Sequence, residues 1–485
     1  MEPLYNHQID AIELLWNNDC FALLMEMGTG KSRPIIDDWL ARVTLGKAQD
    51  LVVIAPKGSY LNWLDELQKW IPPEVHNLLN IAPWISGANK AQLESLQNLL
   101  HAKSPRFLTM NVEALNREGV AREYLLKFIT GKSVIGCIDE STTIAHESAS
   151  RTKFILRTLA PRFKARRILT GLVAPESPMD LYSQYYFLDR NIIGMPTFMT
   201  FRRRYAITEM IDFTPPALKA KGIHKRPIEK VVGFKNLEEL TQKILAKSYR
   251  VTKDQVLDLL PKVYEFWDVE LTEEQHRMYA QMKAYAYTLI AEEDYASAKT
   301  KLGQLQKMMF ILCGHVKNES GEVMDIPENR TNAVMEILHN YTGKAVIWCP
   351  YPQALRKIRA KLQEEFGPRS AVGYWGETTL DERVEANERL QLDDECRFIV
   401  SNQSVGGKGN NWVQCGLCIY FANGFDNEDR QQSEDRIHRI GQTKSVTYID
   451  LRSRGTIDEY LIKVLRKKIT ISSTLQGDEY RKWLI

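Results

Sequence analysis

The chain has 485 residues, 44% of them apolar, so it is long enough to bury two sizeable hydrophobic cores. Its formal net charge of +3 is too small to indicate nucleic-acid binding by itself, and such binding has to come from local patches. No apolar run approaches the roughly 18 residues of a membrane-spanning helix. The first residues lack the basic and apolar regions of an export signal, so we expect a cytoplasmic protein with no membrane partner.

Short apolar runs that end in polar or glycine-containing sequence predict β-strands. They lie at residues 51–55, 134–138, 167–169, 345–349 and 398–400. Apolar residues recur at helical spacing between them, as at 63–71 and 457–465. Strands that alternate with helices predict an α/β fold with parallel sheets, whose ligands gather at the carboxyl ends of the strands.

A glycine-rich segment at 25–32 predicts a phosphate-binding loop. Backbone N–H groups of such a turn and the start of the following helix bind phosphate. Lys31 would contact the β- and γ-phosphates, and the Ser32 hydroxyl would hold Mg²⁺. Met25 stands where the common form of this motif has glycine.

Two further motifs make this interpretation stronger than a chance glycine-lysine turn. Asp139 and Glu140 close an apolar strand, where one carboxylate can hold Mg²⁺ and the other can orient or deprotonate the attacking water. Arg436 and Arg439 are three residues apart, so on a helix they would project from one face toward a phosphate. For the acidic pair, the alternative is an ordinary loop or a helix cap. For the two arginines, the alternative is a solvated basic helix face.

One C-x-x-C pair, Cys415 and Cys418, stands among seven scattered cysteines. The sequence contains no second C-x-x-C pair that could complete a zinc site, and the residues beside this pair are typical of a strand. Burial of reduced thiols is therefore favoured over a zinc or redox site. Tyr285 and Tyr287 are expected in the core rather than on a base-stacking surface.

The motifs together resemble those of the Swi/Snf-like group of helicase superfamily two, which includes chromatin remodellers and annealing helicases. The match is most specific at 432–442, which is close to Q-A-E-D-R-x-H-R-I-G-Q. Further segments resemble motifs Q, Ia with its helix, III and V; they are 6–8, 55–66, 169–184 and 406–411. No additional reader, zinc-binding or nuclease module is recognisable, so the chain resembles a minimal form found in phages and bacteria.

The resemblance implies two tandem RecA-like, doubly wound lobes, at 1–262 and 263–485. Lobe one would carry a mostly helical protrusion after motif III. Lobe two would carry a helical insertion near 265–325 and a C-terminal brace helix. ATP would lie between the lobes with Mg²⁺ on Ser32 and Asp139. The other residues implied in ATP binding and hydrolysis are Gln8, Gly28, Thr29, Gly30, Lys31, Glu140, Arg436 and Arg439.

The resemblance also implies that the chain grips the DNA backbone without sequence preference. The residues implied in phosphate contact are Lys57, Asn111, Arg383, Lys408 and Asn411. Basic segments at 202–204 and 219–230 are equally compatible with DNA contact and with a solvated charged surface.

The predicted function is ATP-dependent translocation by a monomer along duplex or branched DNA. Two alternatives stay open: a strand-separating helicase acting on DNA or RNA, and a nucleic-acid-binding module that has lost ATP hydrolysis. The sequence departs from the group where Leu172 and Val173 replace the Thr-Pro of motif III, and where Ser141 and Thr142 follow Glu140 in motif II. Protein partners are not specified by any motif.

Overall fold

A computed structural model of the protein describes residues 3–103, 105–171, 174, 177–211, 228–256, 259–292, 298–317, 322–407, 410–439 and 441–465. This part of the chain divides into two compact units. The first ends at Ala206 and resumes at Phe234. The second begins at Leu259 and also takes in the described residues between Ile207 and Gly233. None of the described helices combines the length and hydropathy that crossing a bilayer requires.

The first unit is built on a seven-stranded parallel sheet with the order β3-β4-β2-β5-β6-β1-β9. Its strands are β1 Cys20–Met25, β2 Asp50–Ala55, β3 Asn80–Pro83, β4 Arg106–Asn111, β5 Val134–Asp139, β6 Ala165–Leu169 and β9 Ser248–Val251. Two further strands, β7 Ala206–Ile211 and β8 Ile228–Phe234, form a separate two-stranded sheet.

Helices cover both faces of this sheet, because alternate residues of each strand point to opposite sides. In β2, Val52 and Ile54 belong to one buried apolar cluster, whereas Leu51 and Val53 belong to another. The helices are α1 Asn6–Asn17, α2 Ser32–Thr44, α3 Asn62–Trp70, α4 Pro73–His76, α5 Lys90–His101, α6 Val120–Ile129, α7 Ser150–Phe154, α8 Leu181–Leu188, α9 Arg190–Ile193, α10 Phe198–Tyr205, α11 Leu237–Leu245 and α12 Lys253–Val256.

The second unit repeats this plan with a six-stranded parallel sheet in the order β10-β17-β16-β13-β15-β14. Its strands are β10 Lys262–Asp268, β13 Lys344–Trp348, β14 Ala371–Tyr374, β15 Phe398–Ser401, β16 Cys415–Tyr420 and β17 Val446–Arg452. An antiparallel pair, β11 His315–Lys317 and β12 Val323–Asp325, lies outside the sheet. The helices are α13 Glu273–Glu292, α14 Ala298–Leu312, α15 Arg330–His339, α16 Pro352–Phe366, α17 Leu380–Leu392, α18 Gln403–Gly406 and α19 Asn427–Glu434.

The predicted α/β fold with two doubly wound parallel-sheet lobes and helical insertions is confirmed. All five predicted strands are present, and the insertion expected near 265–325 contains α13 and α14. The helix predicted at 457–465 is present at the end of the described part. The exact boundary after residue 262 and the role of a C-terminal helix as a brace stay predictions. Tyr285 was wrongly expected in the core, since it is 53% exposed on α13. The side chain of Tyr287 lies outside the described part.

Candidate nucleotide-binding and nucleic-acid-binding residues

The predicted phosphate-binding loop connects the buried strand β1 to the first turn of α2. Gly28 and Gly30 both have left-handed backbone conformations, with φ of 82° and 78°. The Gln8 side chain is fixed against this loop: its Nε2 donates to the Gly30 carbonyl at 3.0 Å, and its Oε1 accepts from the Tyr5 backbone N–H at 3.1 Å. His7 Nε2 lies 2.8 Å from the Thr29 carbonyl oxygen. The structure therefore brings Gln8 to the loop, where it holds the turn.

Gly30→Ala should weaken nucleotide binding by about tenfold or more. A Cβ at this position would lie 2.5 Å from Gln8 Nε2, and the left-handed conformation itself costs an L-residue about 1–3 kcal/mol. Gly46→Ala is the matched control, because Gly46 has φ of 69° but open space around its Cβ position. Titration with a fluorescent ATP analogue measures both variants. Equal affinity in the two would show that the Gln8 contact does not shape the loop.

The acidic pair meets the loop lysine at the end of β5. Lys31 Nζ lies 3.1 Å from Glu140 Oε1. Asp139 accepts at both carboxylate oxygens, from the Trp63 indole N–H at 2.9 Å and from the Glu140 backbone N–H at 3.0 Å. Burial, with the adjacent Glu140 charge second, raises the pKa of Asp139 to about 6, and Lys31 opposes that rise. Glu140 itself has a φ of 48°, a left-handed conformation that is uncommon for a residue with a side chain.

One predicted magnesium ligand, Ser32, is hydrogen-bonded to a residue to which the motif analysis gave no role. Glu66 on α3 accepts the Ser32 hydroxyl at 2.9 Å and the Trp70 indole N–H at 2.7 Å. Within the described ranges, no group of three or more His, Cys, Asp and Glu side chains could hold a metal by itself. Magnesium is commonly bound by one or two carboxylates together with substrate phosphates. Ser32 and Asp139 fit an ion that enters with a nucleotide.

Arg436 and Arg439 do not lie on a helix, so that part of the prediction was wrong. Helix α19 ends at Glu434, and the Arg436 carbonyl accepts the Trp412 N–H at 3.0 Å instead of a helical partner. The two side chains are nevertheless brought together. Each donates from Nη1 to the Asn410 carbonyl, at 3.3 Å for Arg436 and 3.2 Å for Arg439. A shared acceptor in the motif V segment, and not helical periodicity, holds the pair.

Glu434 fixes the end of α19 immediately before these arginines. It accepts Lys262 Nζ at 3.1 Å, Tyr264 Oη at 2.6 Å and Arg430 Nε at 3.1 Å. Burial acts to raise the pKa of Glu434, but Lys262 and Arg430 outweigh it and the pKa is lowered. A buried carboxylate with three donors ties the turn that carries Arg436 to strand β10.

The DNA contacts predicted in the first lobe lie at the carboxyl ends of adjacent strands β2 and β4. Glu113 lies between them, accepting the Lys57 backbone N–H at 3.1 Å and Asn111 Nδ2 at 3.4 Å. The Lys57 side chain is exposed, whereas Asn111 is only 6% exposed. Lys57 can meet a phosphate in solvent, and Asn111 holds the turn. Their contact with DNA stays a prediction.

In the second lobe, the Arg383 guanidinium already bridges the segment between β14 and α17. Its Nη2 donates to the Trp375 carbonyl at 2.8 Å and its Nε to Thr378 Oγ1 at 3.1 Å. Removing Arg383 would therefore disturb this turn as well as any DNA contact. Asn411 is exposed, and Lys408 lies outside the described residues.

Two protein-family models match the chain. The SNF2-related domain matches residues 7–318, and the helicase conserved C-terminal domain matches residues 329–441. The first match alone spans more than half of the sequence.

The chain belongs to the SNF2-related family.

Curated members of the family resemble almost the entire chain at low identity. Protein CHROMATIN REMODELING 4 of Arabidopsis thaliana is 22% identical, over 96% of this chain and 21% of the relative. An uncharacterized ATP-dependent helicase MG018 of Mycoplasma genitalium is 24% identical, over 91% of this chain and 39% of the relative. Human DNA annealing helicase and endonuclease ZRANB3 is 24% identical, over 93% and 38%. The chain thus spans well under half the length of these relatives.

A solved structure, the Sulfolobus solfataricus SWI2/SNF2 ATPase core in complex with dsDNA, is also similar. It has 22% sequence identity and a TM-score of 0.41, covering 98% of this chain and 94% of that one.

The family assignment confirms the resemblance inferred from the motifs, while the role of each site residue stays a prediction. Among the departures from the group, Leu172 and Val173 lie outside the described residues. Ser141 is buried and donates to Gln184 Oε1 at 2.5 Å, so the motif II substitution has a partner on α8. Cys415 and Cys418 are free, buried thiols within β16, as the strand interpretation predicted.

Proposed function

We propose that this SNF2-related chain hydrolyses ATP and uses the energy to translocate along duplex or branched DNA without sequence preference. The observation that carries the ATPase proposal is the meeting of Lys31 and Glu140, at 3.1 Å, next to Ser32 and Asp139. These residues come from two separate segments of the first lobe, and Lys31 and Glu140 are 109 positions apart along the chain. A folded chain has little structural reason to converge them unless they act together on one ligand.

Each of these side chains has a separate role in phosphoryl transfer. A nucleotide phosphate competes with Glu140 for the Lys31 ammonium, so nucleotide binding releases the Glu140 carboxylate to orient and deprotonate water. Mg²⁺ supplies neutralisation of phosphate charge when it is bound. Ser32 and Asp139 are the residues that would hold it. Arg436 and Arg439 stabilise charge on the transferring phosphoryl group.

DNA is the proposed substrate for two reasons. Curated relatives are named for chromatin remodelling and DNA annealing, and an exposed cation, Lys57, follows the end of strand β2 at the carboxyl edge of the first sheet. Phosphate contacts by such a side chain give affinity without reading bases. Translocation without strand separation distinguishes this proposal from a strand-separating helicase.

ATP hydrolysis should rise on duplex DNA much more than on single-stranded DNA or RNA. A triplex-forming strand ahead of the protein should be displaced in an ATP-dependent way, while a plain duplex of similar length stays paired. Lys57→Ala should reduce the DNA-stimulated rate severalfold, spare basal hydrolysis, and lower the salt dependence of binding by about one unit of log–log slope. Lys132→Ala is the matched control, an exposed lysine that precedes β5 at the opposite edge of the sheet.

Strong unwinding of a blunt duplex, or stimulation by RNA alone, would replace translocation with the strand-separating function. Absence of hydrolysis on every nucleic acid, with binding intact, would indicate a binding module instead.

A further inference from the structure

Helix α3 contacts both predicted magnesium ligands, although no role has been assigned to it. Trp63 and Glu66 are three residues apart, and Trp70 follows Glu66 by four, so all three side chains share one helical face. From this face, Trp63 reaches Asp139 and Glu66 reaches Ser32. Helix α3 is therefore hydrogen-bonded to both Ser32 and Asp139, which come from different segments of the lobe.

The contact at Ser32 has a directional consequence for the hydroxyl. A serine hydroxyl carries one hydrogen and two lone pairs, and only a lone pair can bind a cation. Glu66 Oε2 accepts that hydrogen at 2.9 Å. Because a carboxylate is acceptor-only, this bond turns the Ser32 oxygen lone pairs away from Glu66 and leaves them available.

Trp70 and Arg33 keep the Glu66 carboxylate in place. The Trp70 indole N–H donates to the same Oε2 at 2.7 Å, and the Arg33 guanidinium stacks over the Trp70 ring, 4.8 Å from its centroid. Arg33 directly follows Ser32 in α2. The carboxylate thus has a fixed orientation before any ligand arrives.

The contact at Asp139 acts in the same way on the second ligand. The 3% exposed Trp63 ring places its N–H 2.9 Å from Oδ2, and the Glu140 backbone N–H fixes Oδ1. Each oxygen keeps a second lone-pair direction, so the carboxylate is oriented and remains able to bind a cation. Outer-shell partners of this kind set both the geometry and the affinity of metal ligands.

We propose that α3 positions the magnesium ligands of the nucleotide site: Glu66 accepts the hydrogen bond of the Ser32 hydroxyl, and Trp63 orients Asp139. Glu66 and Trp63 are positioning residues that act through Ser32 and Asp139. The inference rests on the proposed ATP-binding function.

The test measures binding of a fluorescent ATP analogue while Mg²⁺ is titrated, which requires no turnover. Glu66→Ala removes the acceptor of the Ser32 hydroxyl and should raise the Mg²⁺ concentration at half-maximal binding by about tenfold, the lower end of what loss of an outer-shell partner causes. Binding of the analogue in EDTA should not change, since only the metal-dependent part is affected. Asp65→Ala is the matched control, an exposed carboxylate one residue earlier on α3.

Trp63→Phe should shift the same Mg²⁺ midpoint by severalfold, because it keeps an aromatic ring and removes the N–H that orients Asp139. Trp84→Phe is the control for this change, because the buried Trp84 indole N–H has no hydrogen-bond acceptor in the described part of the chain. The control therefore makes the same substitution without loss of a hydrogen bond. Thermal unfolding of each variant separates a metal effect from lost stability. Should Glu66→Ala fail to fold, Trp70→Phe replaces it, since that change removes only one of the two bonds to Glu66.

A double-mutant cycle with Ser32→Ala decides whether Glu66 acts through Ser32. If it does, Glu66→Ala adds no further shift once the hydroxyl is gone. A full additional shift in the Ser32→Ala background would make Glu66 a direct ligand and overturn the proposal, as would an unchanged Mg²⁺ midpoint in both Glu66→Ala and Trp63→Phe. Failure of the parent protein to bind the analogue with Mg²⁺ dependence is a different result, which would overturn the proposed function itself.

Discussion

Glu140→Gln should slow ATP hydrolysis by at least about a hundredfold, the scale expected when acid–base assistance is lost. ATP binding should be retained or become tighter. The reason is the ion pair of 3.1 Å between Lys31 and Glu140, which a neutral glutamine no longer forms, so Lys31 is more available to phosphate. Single-turnover hydrolysis and titration with a fluorescent ATP analogue measure the two quantities separately.

Glu118→Gln provides the control for this change, because Glu118 is an exposed acid of the same lobe. If Glu140→Gln hydrolyses ATP at the parent rate, Glu140 does not orient or deprotonate the attacking water, and the motif II assignment is wrong. A parallel loss of binding and turnover would instead indicate damage to the loop that Lys31 belongs to, and thermal unfolding would report it.

Arg439→Ala should reduce turnover by about a thousandfold, near the lower end of measured arginine-finger effects, with much less loss of ATP binding. A group that acts mainly on the transition state lowers kcat without a matching rise in KM. Arg369→Ala is the control, an exposed arginine of the same lobe whose partners are the surface acids Asp393 and Glu395.

The shared Asn410 carbonyl adds a second expectation for the arginine pair. Arg436 and Arg439 donate to the same carbonyl, so loss of one arginine changes the hydrogen bonding and position of the other. The effects of the two substitutions on turnover should therefore be non-additive. Equal losses in binding and turnover for Arg439→Ala would place this arginine in ground-state binding. Fully additive losses would show that the common acceptor does not couple the pair.

Motif spacing predicted the backbone conformation around the candidate site, because that conformation depends on local sequence. The Gly28 and Gly30 turn, the strand that ends in Asp139, and the buried strand around Cys415 and Cys418 are all determined by neighbours within a few residues. Apolar runs of strand length and glycines with positive φ leave a direct trace in the sequence.

Local pattern failed where long-range contacts decided the outcome. The spacing of Arg436 and Arg439 predicted a helix face, but the helix ends at Glu434 and the Arg436 carbonyl accepts the Trp412 backbone N–H instead. Tyr285 lies in an apolar-looking stretch, yet its position on α13 faces solvent. In both cases a residue distant in sequence, or the lack of packing partners, overrides the local preference.

The sequence by itself determined the α/β class, the two-lobe plan and the family, and it predicted which residues form the phosphate loop and the acidic pair. Each of these follows from periodicity or from short motifs whose chemistry is local. Only the tertiary structure brought Glu66 to Ser32, Trp63 to Asp139, and both arginines to the Asn410 carbonyl. Those contacts join residues between 26 and 76 positions apart along the chain. They exist because strand order and helix packing bring separate segments to one place, and no pattern within a single segment records that.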